Sequence, residues 1–131
     1  MTQIRWYLDT SAALKLLVEE AESTVLAGEI ADRRVRLEAC RLLETEMRRA
    51  AIRLGSLSQE MVSDFLRTID LYDVPPSLHR TAGLLPGVHL RSLDALHLAA
   101  ATTLDVDAVC TYHDRLAASA SEVGIRVVAP R

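Results

Sequence analysis

An apolar run that ends on a carboxylate and passes straight into a helical pattern opens this chain: Trp6-Tyr7-Leu8-Asp9-Thr10-Ser11-Ala12. The segment 4–8 is short and lacks helical spacing, which predicts a buried strand, whereas 11–18 carries apolar residues at helical spacing. The alternation continues downstream. Further strands are predicted at 35–37, 71–74, 108–111 and 126–128, and helices at 22–31, 41–54, 58–69, 77–85, 92–103 and 114–123. Gly55 and Gly124 are read as C-terminal glycine stops, and Ser58 and Ser92 as N-caps. Strands separated by helices, with no hairpin signal between them, predict an α/β fold whose central parallel sheet is flanked by helices. In such sheets ligands bind outside the carboxyl ends of the strands, so Asp9 is expected at the functional crevice.

The length, 131 residues, suits a single domain over 1–131 that buries roughly two-thirds of its unfolded surface. The longest apolar runs fall far short of a membrane span and no basic-then-apolar segment opens the chain, so a cytoplasmic protein without a membrane partner is expected. Cys40 and Cys110 match no metal-binding spacing. A net charge of −3, from 15 basic and 18 acidic residues, does not mark a general nucleic-acid binder. The arginines are nevertheless concentrated: Arg33, Arg34, Arg36, Arg41, Arg48, Arg49 and Arg53 share one stretch, and Lys15 is the sole lysine. Their forked guanidinium suits phosphate and carboxylate alike, and a solvated helix face remains the plainer reading.

Three acids stand out by position. In the helix over 41–54, Leu42, Leu43, Met47, Ala50, Ala51 and Leu54 form one apolar stripe; Glu46 lies at its edge, and Glu44 on the solvent side. A carboxylate at the edge of a core requires a partner, which Arg49, Arg53 or a metal ion would supply. Asp9 before a helix is also good N-cap chemistry, and Asp94 near a helix start complements the helix dipole. His97, one turn after Asp94, reads as a satisfied helix residue; His79 and His89 carry no signal. Carboxylates that converge in one pocket raise each other's pKa values, and a hard divalent cation relieves the repulsion.

At these residues the chain resembles the PIN-domain family, and within it the VapC-type toxins of bacterial toxin–antitoxin pairs. Tyr7-Leu8-Asp9-Thr10-Ser11-Ala12 is similar to the family's opening motif, and Leu42 to Ala50 to its glutamate-bearing helix, in a register that selects Glu46. Arg91-Ser92-Leu93-Asp94-Ala95-Leu96-His97-Leu98-Ala99 matches the segment with the next aspartate, and Thr111-Tyr112-His113-Asp114-Arg115-Leu116-Ala117 resembles the last motif. That motif usually reads Thr-x-Asp; here His113 holds the third position and Asp114 follows it.

The resemblance implies a PIN-like α/β/α fold and an endoribonuclease dependent on Mg²⁺ or Mn²⁺. Asp9, Glu46 and Asp94 would hold the metal, with Asp114 as fourth member. Thr10, Ser11 and Thr111 would orient a phosphate or ligating waters, and His113 is a further candidate to touch metal or phosphate. A cognate antitoxin, an RNA substrate and a homodimer are implied as partners. Two other strand-end aspartate enzymes fit poorly. Haloacid-dehalogenase-like phosphatases need a second aspartate where Ser11 stands, and response-regulator receivers need an acidic pair and a late lysine. The contending alternative is a PIN-like protein that binds RNA or an antitoxin-like partner and cleaves weakly.

Overall fold

Trp6, Tyr7 and Leu8 are at most 1 % exposed, because the strand that carries them sits in the middle of the sheet with helices packed around it. The computed structural model describes residues 2–131. In it β1 (Arg5–Leu8) is followed by α1 (Thr10–Lys15), α2 (Ser23–Arg33), β2 (Arg36–Cys40), α3 (Leu42–Arg53) and α4 (Gln59–Leu66). Then come β3 (Asp70–Tyr72), α5 (Pro76–Gly83), α6 (Ser92–Leu104), β4 (Ala108–Cys110), α7 (Asp114–Glu122) and β5 (Val127–Val128). The five strands pair in the order β3-β2-β1-β4-β5, and every pairing is parallel. The expected parallel sheet flanked by helices is therefore the observed architecture.

The strand order positions the site. From β1 the chain builds β2 and β3 to one side, then crosses over to lay β4 and β5 on the other. The order thus reverses between β1 and β4, and the crevice opens where neighbouring connections diverge from the carboxyl ends of these two strands. Leu8 pairs with Cys110 in that register, so Asp9 and Thr111 emerge side by side.

Several local expectations are corrected. β2 extends to Cys40, beyond the predicted 35–37, and its Glu38 is fully buried. A charge inside a buried strand breaks the apolar pattern, yet Arg5 on β1 donates from Nε and Nη2 to Glu38 at 2.5 and 2.8 Å. Replacing Arg5 by methionine would strand the Glu38 carboxylate without its partner, and a loss of about 3 kcal/mol is expected in urea unfolding. Glu38→Gln should cost less, because the Arg5 side chain, 31 % exposed, can turn to water. An Arg5→Met variant as stable as the wild type would rule out this account of the strand.

Gly55 does not cap α3: the helix ends on Leu54 in an extended conformation, its amide bonded to Ala50 O. Gly124 does adopt a positive φ of 86°, and the amides of Gly124 and Ile125 reach back to Ser121 O and Ala120 O at 3.0 and 2.9 Å. Ser58 caps α4 as expected, accepting from the Met61 amide at 3.1 Å. Ser92 instead lies inside α6, whose N-cap Arg91 makes no side-chain capping bond. Among the described residues, no helix is long and apolar enough to cross a membrane.

Candidate active site

Asp9 combines the two roles that its sequence position left open. One residue past β1, it caps α1 by accepting from the Ala12 amide at 3.0 Å, and it is only 4 % exposed. Its Oδ1 also accepts from Ser11 Oγ at 2.7 Å, and its Oδ2 from Thr111 Oγ1 at 2.5 Å. Ser11 Oγ in turn accepts the Tyr112 amide, and Thr111 Oγ1 the His113 amide. These hydroxyls knit the β1 and β4 exits together around one carboxylate.

Glu46 projects from the first half of α3. Its partners are Thr10 Oγ1 at 2.7 Å and His97 Nε2 at 2.5 Å, both on Oε1. Arg49 and Arg53, the expected ion-pair partners, are exposed and bond to neither Glu46 nor any other acid among the described residues. Glu44 is bound on the far side by Arg41 and Arg48. Burial opposes the charge on Glu46, but the hydrogen bond and charge of His97, with the Thr10 hydroxyl, hold its pKa below the ordinary glutamate value. Burial likewise opposes a charge on His97; hydrogen bonds to Cys40 and Glu46 and the Glu46 charge outweigh it, raising the imidazole to about 10.

Asp94 lies in the first turn of α6, where the helix dipole favours an acid. Its Oδ2 meets His113 Nδ1 at 3.0 Å. Burial raises the Asp94 carboxyl above its usual range, His113 and His97 offset part of this, and the nearby charges of Asp9 and Glu46 push it up further. Asp94 on α6 therefore feels the charge of two other carboxylates, Asp9 at the N-cap of α1 and Glu46 on α3.

They share a cavity of about 360 Å³, lined by Asp9, Thr10, Ser11, Glu46, Asp94, His97, Tyr112 and His113. A cavity of equal volume between α5 and α6 has no carboxylate in its wall. Asp114 is not in the lining. It is the exposed first residue of α7, and His113, as the N-cap, occupies the strand-to-helix corner instead. His97 and Tyr112 also line the cavity, although neither is a sequence-based candidate. For His97 a signal existed, since a residue three after Asp94 shares its helix face.

Among the described residues, no three acid, histidine or cysteine side chains form a ready-made coordination cluster. The oxygen set still fits a hard cation. Glu46 Oε2 and Asp94 Oδ1 accept no hydrogen bond among the described residues, and Mg²⁺ commonly takes one or two carboxylates and keeps several waters.

No protein-family model matches the chain. Curated relatives do. Ribonuclease VapC46 of Mycobacterium tuberculosis (strain ATCC 25618 / H37Rv) is 38 % identical over 126 residues, covering 95 % of this chain and 96 % of the relative. Ribonuclease VapC35 of Mycobacterium tuberculosis is 36 % identical over 129 residues, with the same coverage of 95 % and 96 %. Among solved structures, Mycobacterium tuberculosis VapC20, a Sarcin-Ricin loop cleaving toxin, superposes with a TM-score of 0.74 at 15 % identity, over 95 % of this chain and 99 % of that one. VapBC2 from Rickettsia felis, bound to a promoter DNA fragment, gives 0.73 at 9 % identity, over 98 % and 100 %. The structural matches share the fold, and the sequence matches carry the kinship: this chain belongs to the VapC family of PIN-domain ribonucleases, the toxins of toxin–antitoxin pairs.

Proposed function

We propose that this chain is the toxin of a toxin–antitoxin pair, acting in the cytoplasm as one domain that hydrolyses RNA phosphodiester bonds with Mg²⁺ or Mn²⁺. The observation that carries this reading is the convergence of Asp9, Glu46 and Asp94, remote in sequence, on one cavity at the β1–β4 reversal. Family membership favours a divalent metal in general, and the donor set favours a hard one. When bound, such an ion makes water a usable nucleophile at neutral pH and offsets charge developing on the phosphate.

The chain's own residues hold the geometry. Asp9, Glu46 and Asp94 supply carboxylate oxygens; Ser11 and Thr111 fix Asp9, and Thr10 fixes Glu46. His113, tied to Asp94 at the mouth of the cavity, offers its Nε2 to a substrate phosphate. Asp114, at the start of α7, would join as fourth acid by a small movement of the 113–114 corner. A cognate antitoxin restrains the toxin, a reading that the VapBC2 neighbour supports, and the protein acts as a homodimer.

The test is cleavage of total tRNA and rRNA with Mg²⁺ or Mn²⁺, with and without EDTA. Discrete fragments that vanish on chelation are expected. Intact RNA in every lane would instead favour a partner-binding protein that cleaves weakly. One observation supports that second reading: the Thr-x-Asp position is held by His113, which engages Asp94.

A further inference from the structure

His97 is 1 % exposed, yet both of its ring nitrogens are bonded. Nε2 meets Glu46 Oε1 at 2.5 Å, and Nδ1 shares a hydrogen bond of 2.7 Å with the Tyr7 hydroxyl. That hydroxyl also accepts the backbone amide of Cys40 at 3.1 Å, where β2 ends. The Tyr7 and His97 rings pack edge-to-face, with centroids 5.7 Å apart and planes at 69°. A continuous side-chain path therefore runs from the end of β2 through Tyr7 on β1 and His97 on α6 to Glu46 on α3.

The path ends asymmetrically. His97 and Thr10 both bind Oε1 of Glu46, and Oε2 accepts nothing among the described residues. A glutamate has three side-chain torsions, so an acid on a helix edge ordinarily samples several rotamers. Two bonds to one oxygen stop that motion and leave the other oxygen for a ligand. Buried groups that lock a ligating carboxylate in this way raise metal affinity by pre-organisation.

We propose that His97 is a positioning residue, itself held by Tyr7, that fixes the Glu46 carboxylate with Oε2 free for a divalent cation. The proposal rests on the reading of Glu46 as part of a metal site. It adds a buried polar support, Tyr7–His97, in which Tyr7 lies two residues before Asp9 and His97 three residues after Asp94.

The experiment is calorimetric titration with Mn²⁺ of the wild type, His97→Leu, His97→Gln, Tyr7→Phe and the His97→Leu/Tyr7→Phe pair, with the melting temperature of each measured in EDTA. His97→Leu should weaken Mn²⁺ binding by about tenfold to a hundredfold. Glutamine carries an N–H at the same reach as Nε2, so His97→Gln should recover affinity to within about threefold of wild type while leaving Nδ1's partner unmet. Tyr7→Phe should weaken binding severalfold in the wild-type background and not at all beside His97→Leu, because its effect passes through the imidazole.

Equal Mn²⁺ affinity in His97→Leu and wild type would overturn the proposal and spare the metal site. So would a glutamine variant no better than leucine, or a Tyr7→Phe effect that persists without His97, since either would mark the pair as packing alone. A wild type that binds no Mn²⁺, with Asp9→Asn equally silent, would overturn this proposal together with the reading beneath it. A lower melting temperature with unchanged affinity in the folded variants counts as packing.

Discussion

Asp94→Asn is expected to lower RNA cleavage about a hundredfold or more, since a metal site supplies several kcal/mol of charge stabilisation and each 1.4 kcal/mol is a factor of ten. The same change should leave the EDTA-treated protein as stable as the wild type, or more so. The sign follows from its surroundings. Burial, together with Asp9 and Glu46, raises the Asp94 carboxyl, so its ionised form is disfavoured in the folded state. A group of that kind costs stability once pH exceeds its unfolded pKa, and asparagine removes the cost. The ion-pair contact with His113 is lost with the charge, but the His113 side chain is 42 % exposed, so this costs little. Cleavage rates and melting curves on one preparation check both halves. Activity and melting temperature falling together would show that Asp94 is structural, and undiminished cleavage would remove it from the chemistry.

Glu46→Gln should abolish cleavage to a similar degree, and here the structure changes what is expected of stability. Viewed as a helix-edge acid bound for a metal, Glu46 would be expendable to the fold. Its contact with the buried His97 makes it otherwise. Glutamine keeps an acceptor for Thr10 and His97 but loses the charge that stabilises the imidazolium, a cost of about 1–3 kcal/mol for a buried charged hydrogen bond.

The pH profile of that cost has a definite sign. The His97 pKa is raised from 6.5 to about 10 in the folded state, so its contribution is whole below pH 6.5 and disappears as pH climbs through about 10. The Glu46 pKa is lowered from 4.5, so its contribution is present above pH 4.5 and fades as pH falls through the folded value. The gap in stability between wild type and Glu46→Gln should therefore be widest between pH 4.5 and 6.5 and close toward pH 10. Urea unfolding across that range, in EDTA, checks it. Glu44→Gln serves as the control two residues away, on the opposite face of α3: it loses surface pairs with Arg41 and Arg48, worth about 0–1 kcal/mol, and cleavage should be unaltered. Equal effects at the two positions would place Glu46 outside the site.

The alternation of strands and helices was legible because it is written in nearest-neighbour chemistry. Apolar runs of four or five residues, helical stripes and the Ser58 cap depend on residues within a turn or two of one another. The acids were legible for the same reason: Asp9 closes a strand, Asp94 opens a helix, and Glu46 sits at the edge of a stripe. β2 runs past 37 to Cys40 although Glu38 contradicts an apolar pattern, and nothing near Glu38 in the chain reveals the arginine, 33 residues away, that donates to it. Gly55 misled because a glycine after a helix permits a left-handed turn without requiring one.

Order along the chain and the carboxylate at each element's end follow from this local chemistry, and with them the parallel α/β class and three acids facing one edge. Which strand lies beside which does not. The reversal between β1 and β4 brings Asp9 against Thr111 across 102 positions, and the packing of α6 against β2 delivers His97 to Glu46 across 51. The exchange of roles at the last motif, with His113 in the cavity and Asp114 outside, turns on a single residue of phase at a strand-to-helix corner. Such pairings are set by how whole layers fit together. A buried charge takes whichever partner the finished core brings within about 3 Å, whatever its distance along the chain.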